Sequence, residues 1–173
     1  MWKDLVPRRR AEILIFAIFT LWLAANIIAP FTLAPASVTN LSGRVGQIDN
    51  WSQIQKMNPF AAVVYFIGDA NCHQLADRSY YLNGNQMAFC SRDIGIFVGL
   101  VLGMGLVLLV DPRVKAWTAA LGLVPMAVDG TAQALTSYAS NNTLRLLTGA
   151  LAGVSAALLL HWLALRLLSQ RAK

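Results

Sequence analysis

Both cysteines of the chain, one histidine and Asp93 lie between positions 72 and 93 of an otherwise apolar sequence. They occur as the pair Cys72-His73 and as the short motif Cys90-x-x-Asp93. Thiolate, imidazole and carboxylate groups are zinc ligands, and the short spacing of Cys90 and Asp93 is typical of chelating turns. The pattern predicts a metal site, with zinc as the metal, built from Cys72, His73, Cys90 and Asp93.

The same residues are open to other chemistry. Neighbouring side chains diverge unless the backbone turns sharply, so His73 is alternatively a general base or a proton shuttle. A disulfide between Cys72 and Cys90 would close a loop of about 19 residues and add about 3 kcal/mol of stability. A reversible redox pair and a nucleophilic cysteine activated by His73 are further alternatives.

A second polar set lies inside apolar stretches, where ionisable groups are costly and usually functional. Gln133 follows Asp129 by four positions, so the two share a helix face, as do Arg145 and Thr148. In a hydrolytic reaction Asp129 or His73 would move a proton, and Arg145 or Arg92 would stabilise negative charge. A buried ion pair between Asp129 and Arg145 is the structural alternative.

Two further residues add polar groups to the first set, the one between positions 72 and 93: Gln74 and Arg78.

The composition indicates a membrane protein. Of 173 residues, 57% are hydrophobic and 13% are charged, whereas soluble proteins average about 45 to 50% apolar and about 25% charged residues. The net charge of +6 does not indicate a nucleic-acid partner, because the basic residues sit at the ends of hydrophobic runs. We expect the lipid bilayer to be the partner.

Four apolar runs have about the length needed to cross a bilayer: 13–29, 94–110, 116–138 and 144–168. The first follows basic residues, as in a signal peptide, but no clear cleavage site closes it, and we interpret it as a retained helix. The run 57–68 is too short for an ordinary span and favours a re-entrant or interfacial half-helix, with a tilted fifth span as the alternative. The predicted fold is an all-α polytopic transmembrane helical bundle of about four spans, in one domain covering 1–173.

Basic residues predict the orientation in the cell membrane. Four spans put both termini on one side, with nine basic residues: Lys3, Arg8, Arg9, Arg10, Arg113, Lys115, Arg166, Arg171 and Lys173. The positive-inside rule makes that side cytoplasmic and the segment 30–92 extracytoplasmic. Asp129 then lies about 20 Å along the third span. Asp93, Asp129 and Arg145 would share one depth and form a single outward-facing polar site.

The chain resembles the DUF2085 family of small, uncharacterised prokaryotic membrane proteins over roughly 72–153. The resemblance rests on these residues: Cys72-His73-Gln74, Arg78-Ser79-Tyr80-Tyr81, Gly84-Asn85-Gln86, Cys90-Ser91-Arg92-Asp93, Gly95-Ile96-Phe97, Gly99, Asp129-Gly130, Gln133, Arg145 and Thr148-Gly149. It implies that the two polar sets belong to one site. Family members often have a third cysteine where this chain has Asp93, which replaces a soft metal ligand by a hard one.

Two functions fit these observations. The leading interpretation is a zinc-dependent hydrolase that acts on a membrane-proximal substrate through metal-activated water. The alternative is a non-enzymatic structural or accessory subunit of a larger membrane complex, held by the disulfide and by ion pairs. The arginines would also suit the phosphate of an anionic lipid. A channel or transporter is disfavoured by the apolar inner halves of the spans, and the sequence does not decide whether the protein is an enzyme.

Overall fold

The computed structural model describes residues 2–171, with side chains from Arg8 onward except those of 168, 169 and 171. Lys173, one of the nine basic residues above, lies outside the described residues, and so do the side chains of Lys3 and Arg171.

Three long helices form the body of the protein: α1 (Trp2–Ile28), α4 (Ser91–Val110) and α7 (Asn142–Arg171). Three segments are long and apolar enough to cross a membrane: Arg8–Thr32, Ser91–Val110 and Asn142–Leu167. The first joins most of α1 to the 3-10 helix that follows it, Ala29–Thr32. The runs predicted at 13–29, 94–110 and 144–168 are therefore helices of spanning length. The predicted all-α membrane fold is confirmed.

The run predicted as a span at 116–138 is a broken helix. It consists of α5 (Ala116–Ala120), a 3-10 turn (Leu121–Leu123) and α6 (Val124–Leu135). Pro125 explains the break, because proline lacks the N–H that would bond the carbonyl of Leu121 and its ring crowds that carbonyl. Within the described residues this run is not among the segments that meet the criteria for a span.

Glycines bring α4 and α7 into backbone contact. A Cβ on Gly99 would lie 2.1 Å from the carbonyl oxygen of Ala150, and one on Gly153 would lie 2.2 Å from that of Ile96. Such contacts let two helices approach much more closely than larger side chains permit. The α4–α7 pair therefore fixes where the two ends of α4 lie relative to α7.

The segment between α1 and α4 forms a small structure of its own. It contains α2 (Trp51–Ile54), α3 (Pro59–Asn71) and two strands, β1 (Tyr81–Leu82) and β2 (Asn85–Gln86). Asn58 caps α3 by accepting a hydrogen bond from the Ala61 N–H at 3.0 Å, and Pro59 suits the first helical position. A helix is therefore present where the re-entrant or interfacial half-helix 57–68 was predicted, and it begins slightly later and extends to Asn71.

The two strands form an antiparallel hairpin in which Tyr81 pairs with Gln86. Asn83 and Gly84 form the turn, with φ angles of 53° and 71°. No strand was expected here, although Asn-Gly is the typical signal of a two-residue hairpin turn. The hairpin places Gln86 inside the segment.

Buried amides hold this segment together. Gln86 accepts a hydrogen bond from the Leu41 N–H at 2.9 Å and donates to the carbonyl of Gln74 at 2.6 Å. Gln74 accepts from Asn50 at 3.0 Å, and Asn50 also donates to Asp69 at 2.6 Å. Gln74, Gln86 and Asp69 are fully buried. Because buried polar groups are costly unless paired, this network specifies one arrangement of the loops.

Candidate functional site

Cys90 and Asp93 lie together at the start of α4. Cys90 is the residue before the first helical turn, and its carbonyl accepts a hydrogen bond from the Ile94 N–H at 3.1 Å. Three positions separate Cys90 from Asp93, so one helical turn brings their side chains together. The Cys90 Sγ donates to Asp93 Oδ2 at 3.0 Å.

Cys72 reaches the same place from the end of α3. It is the residue at which α3 stops, it is 4% exposed, and its Sγ accepts a hydrogen bond from the Cys90 N–H at 3.3 Å. The ligating atoms of Cys72, Cys90 and Asp93 all lie within 4.8 Å of one another. We call these three residues the thiol–carboxylate cluster. Both cysteines are free thiols in this structure.

The two thiols differ in acidity. A hydrogen bond between the two thiol side chains, distinct from the one that the Cys90 N–H donates, lowers the pKa of Cys90 below that of an ordinary thiol, although burial and the Asp93 carboxylate oppose the shift. The pKa of Cys72 is raised, first by its hydrogen bond to Cys90 and then by burial. Cys90 therefore loses its proton first. Its thiolate would face the Asp93 carboxylate at 3.0 Å, and such a pair of negative charges requires a proton or a cation beside it.

His73 lies outside this cluster. Its side chain is exposed, whereas the neighbouring Cys72 and Gln74 are buried. The His73 carbonyl accepts a hydrogen bond from the Gly43 N–H at 2.9 Å, and the next residue, Gln74, has a φ angle of 47°. Among the described residues, the atoms that converge come from Cys72, Cys90 and Asp93 and not from His73. Gln74 belongs to the buried amide network of the connecting segment.

A second group of polar residues joins α4, α6 and α7. Arg92 forms a salt bridge with Asp129, whose carboxylate also accepts hydrogen bonds from Gln133 at 3.0 Å and from the Tyr138 hydroxyl at 3.3 Å. Asp129 is 6% exposed. Three donors therefore compensate the burial of this carboxylate in the apolar part of the protein.

Arg145 connects to the same group through Gln133 and not directly to Asp129. Its guanidinium donates to Gln133 Oε1 at 3.1 Å and to Asn142 Oδ1 at 3.2 Å, and Asn142 also accepts from Ser91 at 2.9 Å. The ion pair considered between Asp129 and Arg145 is thus replaced by one between Asp129 and Arg92. We call the following residues the arginine network: Arg92, Asp129, Gln133, Tyr138, Asn142 and Arg145.

Thr148 and Arg78 lie at the edge of the arginine network. The Thr148 hydroxyl donates to the Leu144 carbonyl at 2.9 Å, so it is satisfied by its own helix. Arg78 is partly exposed and its nearest acidic partner is Asp77, at 3.8 Å. Arg78 and Arg92 are both close enough to Arg145 to repel it electrostatically. The network is therefore rich in positive charge.

An open groove of about 460 Å³ runs beside Asp129. Apolar side chains of α6 and α7 dominate its wall, and it is lined by Pro125, Val128, Asp129, Ala132, Tyr138, Leu144 and Thr148. Apart from the hydroxyls of Tyr138 and Thr148 and the Asp129 carboxylate, it offers a ligand only hydrocarbon contacts. An apolar chain would suit this groove better than a polar molecule.

The two groups share the first turn of α4 but use different faces of it. Cys90 and Asp93 point toward Cys72, whereas Ser91 and Arg92 contact residues of α7 and α6. Helical geometry separates Arg92 from Cys90 by about 160° around the axis. The single polar site expected from the sequence therefore consists of two adjacent groups. Tyr138 and Asn142 were not among the predicted site residues, because a loop residue and a residue at a helix start give no periodic signal in the sequence.

Residues 72–159 match the profile of a family described as "Predicted membrane protein (DUF2085)". This match covers half of the chain and contains the thiol–carboxylate cluster and the arginine network completely. The chain belongs to the DUF2085 family. The resemblance noted in the sequence is thereby confirmed, and the family description supports a membrane location.

Two archaeal relatives of this DUF2085 protein are uncharacterised. One, from Methanocaldococcus jannaschii, is 36% identical over 99 residues, which are 52% of this chain and 61% of the relative. The other, from Methanothermobacter thermautotrophicus, is 33% identical over 91 residues, or 51% of this chain and 82% of the relative. The match thus spans less than two thirds of the first relative. No solved structure matches the chain.

Proposed function

We propose that this DUF2085 protein binds zinc through Cys72, Cys90 and Asp93 on the extracytoplasmic side of the cell membrane. The observation that carries the proposal is the convergence of three ligating atoms within 4.8 Å from two separate segments of the chain. Zinc coordinated by three protein ligands keeps a fourth position for water or substrate, as in catalytic sites. The lowered pKa of Cys90 favours the thiolate that metal binding needs.

The topology proposed for the site has four spans and both termini in the cytoplasm. Three of the spans are supplied by the helices α1, α4 and α7. The broken run 116–135 supplies the fourth, because 20 residues at about 1.5 Å each reach about 30 Å, the thickness of the hydrocarbon layer. The basic residues near the other ends of these segments then lie on the cytoplasmic side: Arg8, Arg9, Arg10, Arg113, Lys115 and Arg166.

Hydrolysis of a membrane-proximal substrate is the reaction that we propose for such a site. Zinc with an open position makes a bound water acidic and polarises a carbonyl or phosphoryl oxygen. Arg92 is adjacent to Asp93 in sequence, but it lies on another face of α4 and is paired with Asp129, so we assign it no contact with a substrate at the zinc. Asp129 already accepts hydrogen bonds from three donors. We therefore propose that it holds Arg92 in position and does not transfer a proton.

Elemental analysis of protein purified without chelator tests the zinc site. We expect about one zinc per chain, with both thiols reduced in the intact mass. Cys90→Ser should lose the metal, and His73→Ala should keep it, because His73 lies outside the cluster. Absence of zinc from the native protein, or retention of zinc in Cys90→Ser, would contradict the proposal.

The alternative is a structural or accessory subunit with a Cys72–Cys90 disulfide. It draws support from the closeness of the two sulfur atoms and from the extent to which the arginine network satisfies its own charges. In this case the intact mass is lower by about two protons, and partner chains remain bound during purification in a mild detergent. A reduced, metal-bound protein without partners would exclude it.

A further inference from the structure

Three arginines from separate parts of the chain meet near the start of α7. Arg78 belongs to the segment between α1 and α4, Arg92 to the first turn of α4 and Arg145 to the first turn of α7. The two helix starts are adjacent, because the Ser91 hydroxyl donates to Asn142 Oδ1 at 2.9 Å. Both helices are of spanning length from this end. The arginines therefore lie where lipid headgroups meet the hydrocarbon.

These arginines carry one positive charge more than the nearby carboxylates balance. Asp129 pairs with Arg92, and Asp77 lies 3.8 Å from Arg78. Within the part of the chain that the structure describes, Arg145 forms no salt bridge, and its guanidinium donates to two amide oxygens, which are neutral. A buried charge without a counter-ion is costly where the medium is apolar. An anion beside the arginines would reduce this cost.

Two of the arginines have room for such an anion. Asp93, the next residue after Arg92, does not balance the excess charge, because it faces Cys90 at 3.0 Å on another side of α4. Arg92 uses Nη2 for its salt bridge, and its Nε has no hydrogen-bond partner. The side chains of Arg92 and Arg78 are 25% and 46% exposed. Both guanidinium groups can therefore bind a further acceptor, while the buried Arg145 adds its charge from behind.

The apolar groove beside Asp129 begins at the same level as the arginines. Leu144, which lines the groove, lies in the first turn of α7, as Arg145 does. Tyr138 also lines it and donates its hydroxyl to Asp129 at 3.3 Å. The groove then follows α6 as far as Pro125, about 15 Å along the axis from the end of that helix. It thus leads from the arginines toward the hydrocarbon layer.

A second open groove, also of about 460 Å³, adjoins the first. Val128 and Ala132 line both grooves, and the second is completed by Val124, Ala127 and Thr131. Val128 is 62% exposed, so it forms a low ridge between the two grooves. Two apolar grooves that share a wall and begin near one positive group match a lipid with two hydrocarbon chains.

We propose that this DUF2085 protein binds a membrane lipid with an anionic phosphate headgroup and two hydrocarbon chains. The phosphate lies between Arg78 and Arg92 and balances the charge of Arg145, and the chains lie in the two grooves on α6. Arginine binds phosphate through charge-assisted hydrogen bonds that are frequently bidentate. A zwitterionic headgroup brings no net charge to the arginines, so the site prefers an anionic lipid. This lipid site is separate from the proposed zinc site and does not depend on it.

Native mass spectrometry of the detergent-purified protein with added lipid tests the preference. The probes are phosphatidylglycerol, whose headgroup carries one negative charge, and phosphatidylcholine with the same acyl chains, whose headgroup is neutral overall. We expect the native protein to bind phosphatidylglycerol roughly tenfold more tightly, because only this lipid brings a net negative charge to the arginines. Equal affinities would overturn the proposal, and this comparison requires no variant.

Arg78→Gln tests the headgroup end without changing a buried group. We expect it to reduce the preference for phosphatidylglycerol several-fold. Arg44→Gln is the matched control, because Arg44 is an exposed arginine of the same connecting segment and lies outside the arginine network. It should keep the preference of the native protein. An equal reduction in the two variants would indicate only a general attraction between a basic protein and anionic lipid, and would overturn the proposal.

Val128→Trp tests the grooves. Val128 lines both of them and is exposed, so a larger side chain occupies their space without entering the core. Val110→Trp is the matched control, because Val110 on α4 is 64% exposed and lines neither of these grooves. We expect Val128→Trp to weaken the binding of phosphatidylglycerol several-fold and Val110→Trp to leave it unchanged. Equal binding by the two variants would contradict the placement of the chains.

Glycerol phosphate, which has the phosphate but no hydrocarbon chains, distinguishes a lipid site from a phosphate site. We expect it not to displace phosphatidylglycerol at the same concentration, and displacement would show that the chains contribute nothing. Cys90→Ser should bind phosphatidylglycerol as the native protein does, although we expect it to lose zinc. Failure of the zinc proposal and failure of the lipid proposal are therefore distinguishable.

Discussion

Arg92, in the first turn of α4, forms a salt bridge with Asp129 in the middle of α6. The Asp129 side chain is 4% exposed and that of Arg92 is 25% exposed, so the pair lies at the boundary of the buried region. Through Gln133 and Arg145 the same contacts extend to α7. One ion pair thus links the polar groups of three helices.

Removal of the Asp129 charge should destabilise the protein. Asp129→Asn leaves Arg92 without its anion and weakens the bonds from Gln133 and Tyr138. We expect a loss of about 2 to 4 kcal/mol in the free energy of unfolding, measured in detergent, because breaking one partner of a buried pair leaves an uncompensated charge. The matched control is Asp77→Asn, whose carboxylate is exposed and only loosely paired with Arg78; an equal loss there would contradict our account.

The two thiols, Cys90 and Cys72, should differ in the pH at which they are alkylated. Alkylation requires the thiolate, and the hydrogen bond between the two thiol side chains lowers the pKa of Cys90. We expect Cys90 to be alkylated before Cys72 in metal-free protein, as followed by peptide mass spectrometry. In Cys72→Ala this hydrogen bond is absent, so the pH at which Cys90 reacts half-maximally should rise. A fall or no change would disprove the assigned cause.

The close contact of α4 with α7 can be tested by adding one methyl group. Gly99→Ala places a Cβ 2.1 Å from the Ala150 carbonyl oxygen, so the helices must move apart. Gly105→Ala is the control on the same helix, because its new Cβ would meet only Phe16 at 3.6 Å. We expect about 1 to 3 kcal/mol of destabilisation for Gly99→Ala, and little for Gly105→Ala in the same unfolding assay.

The buried amide network should control the order of the connecting segment. Gln86→Ala removes the acceptor of the Leu41 N–H and the donor to the Gln74 carbonyl, and both groups remain buried. Each unpaired group costs about 1 to 3 kcal/mol, so the segment should be cleaved faster by an added protease. Gln55→Ala, at an exposed position, should leave the cleavage rate near that of the native protein.

Spanning length and helix type could be predicted because they depend on local sequence. An apolar run of about 20 residues has few alternatives to a helix in a bilayer, since its backbone must bond internally. The break at Leu121–Leu123 was less predictable, although Pro125 indicated its place. The hairpin turn is indicated in the sequence by the dipeptide Asn83-Gly84, but long apolar runs carry no information about such a turn.

The sequence by itself determined which chemical groups are available: two thiols, a few arginines and several carboxylates in an apolar chain. Tertiary structure decided their partners. His73 is adjacent to Cys72 in sequence, but its side chain is exposed whereas that of Cys72 is buried; Asp93 comes within reach of Cys90 through one helical turn. Asp129 pairs with Arg92 and not with Arg145, and the His161 ring of α7 contacts Glu12 of α1. Such pairings follow from how α1, α4, α6 and α7 pack, and helix packing depends on side chains far apart in the chain.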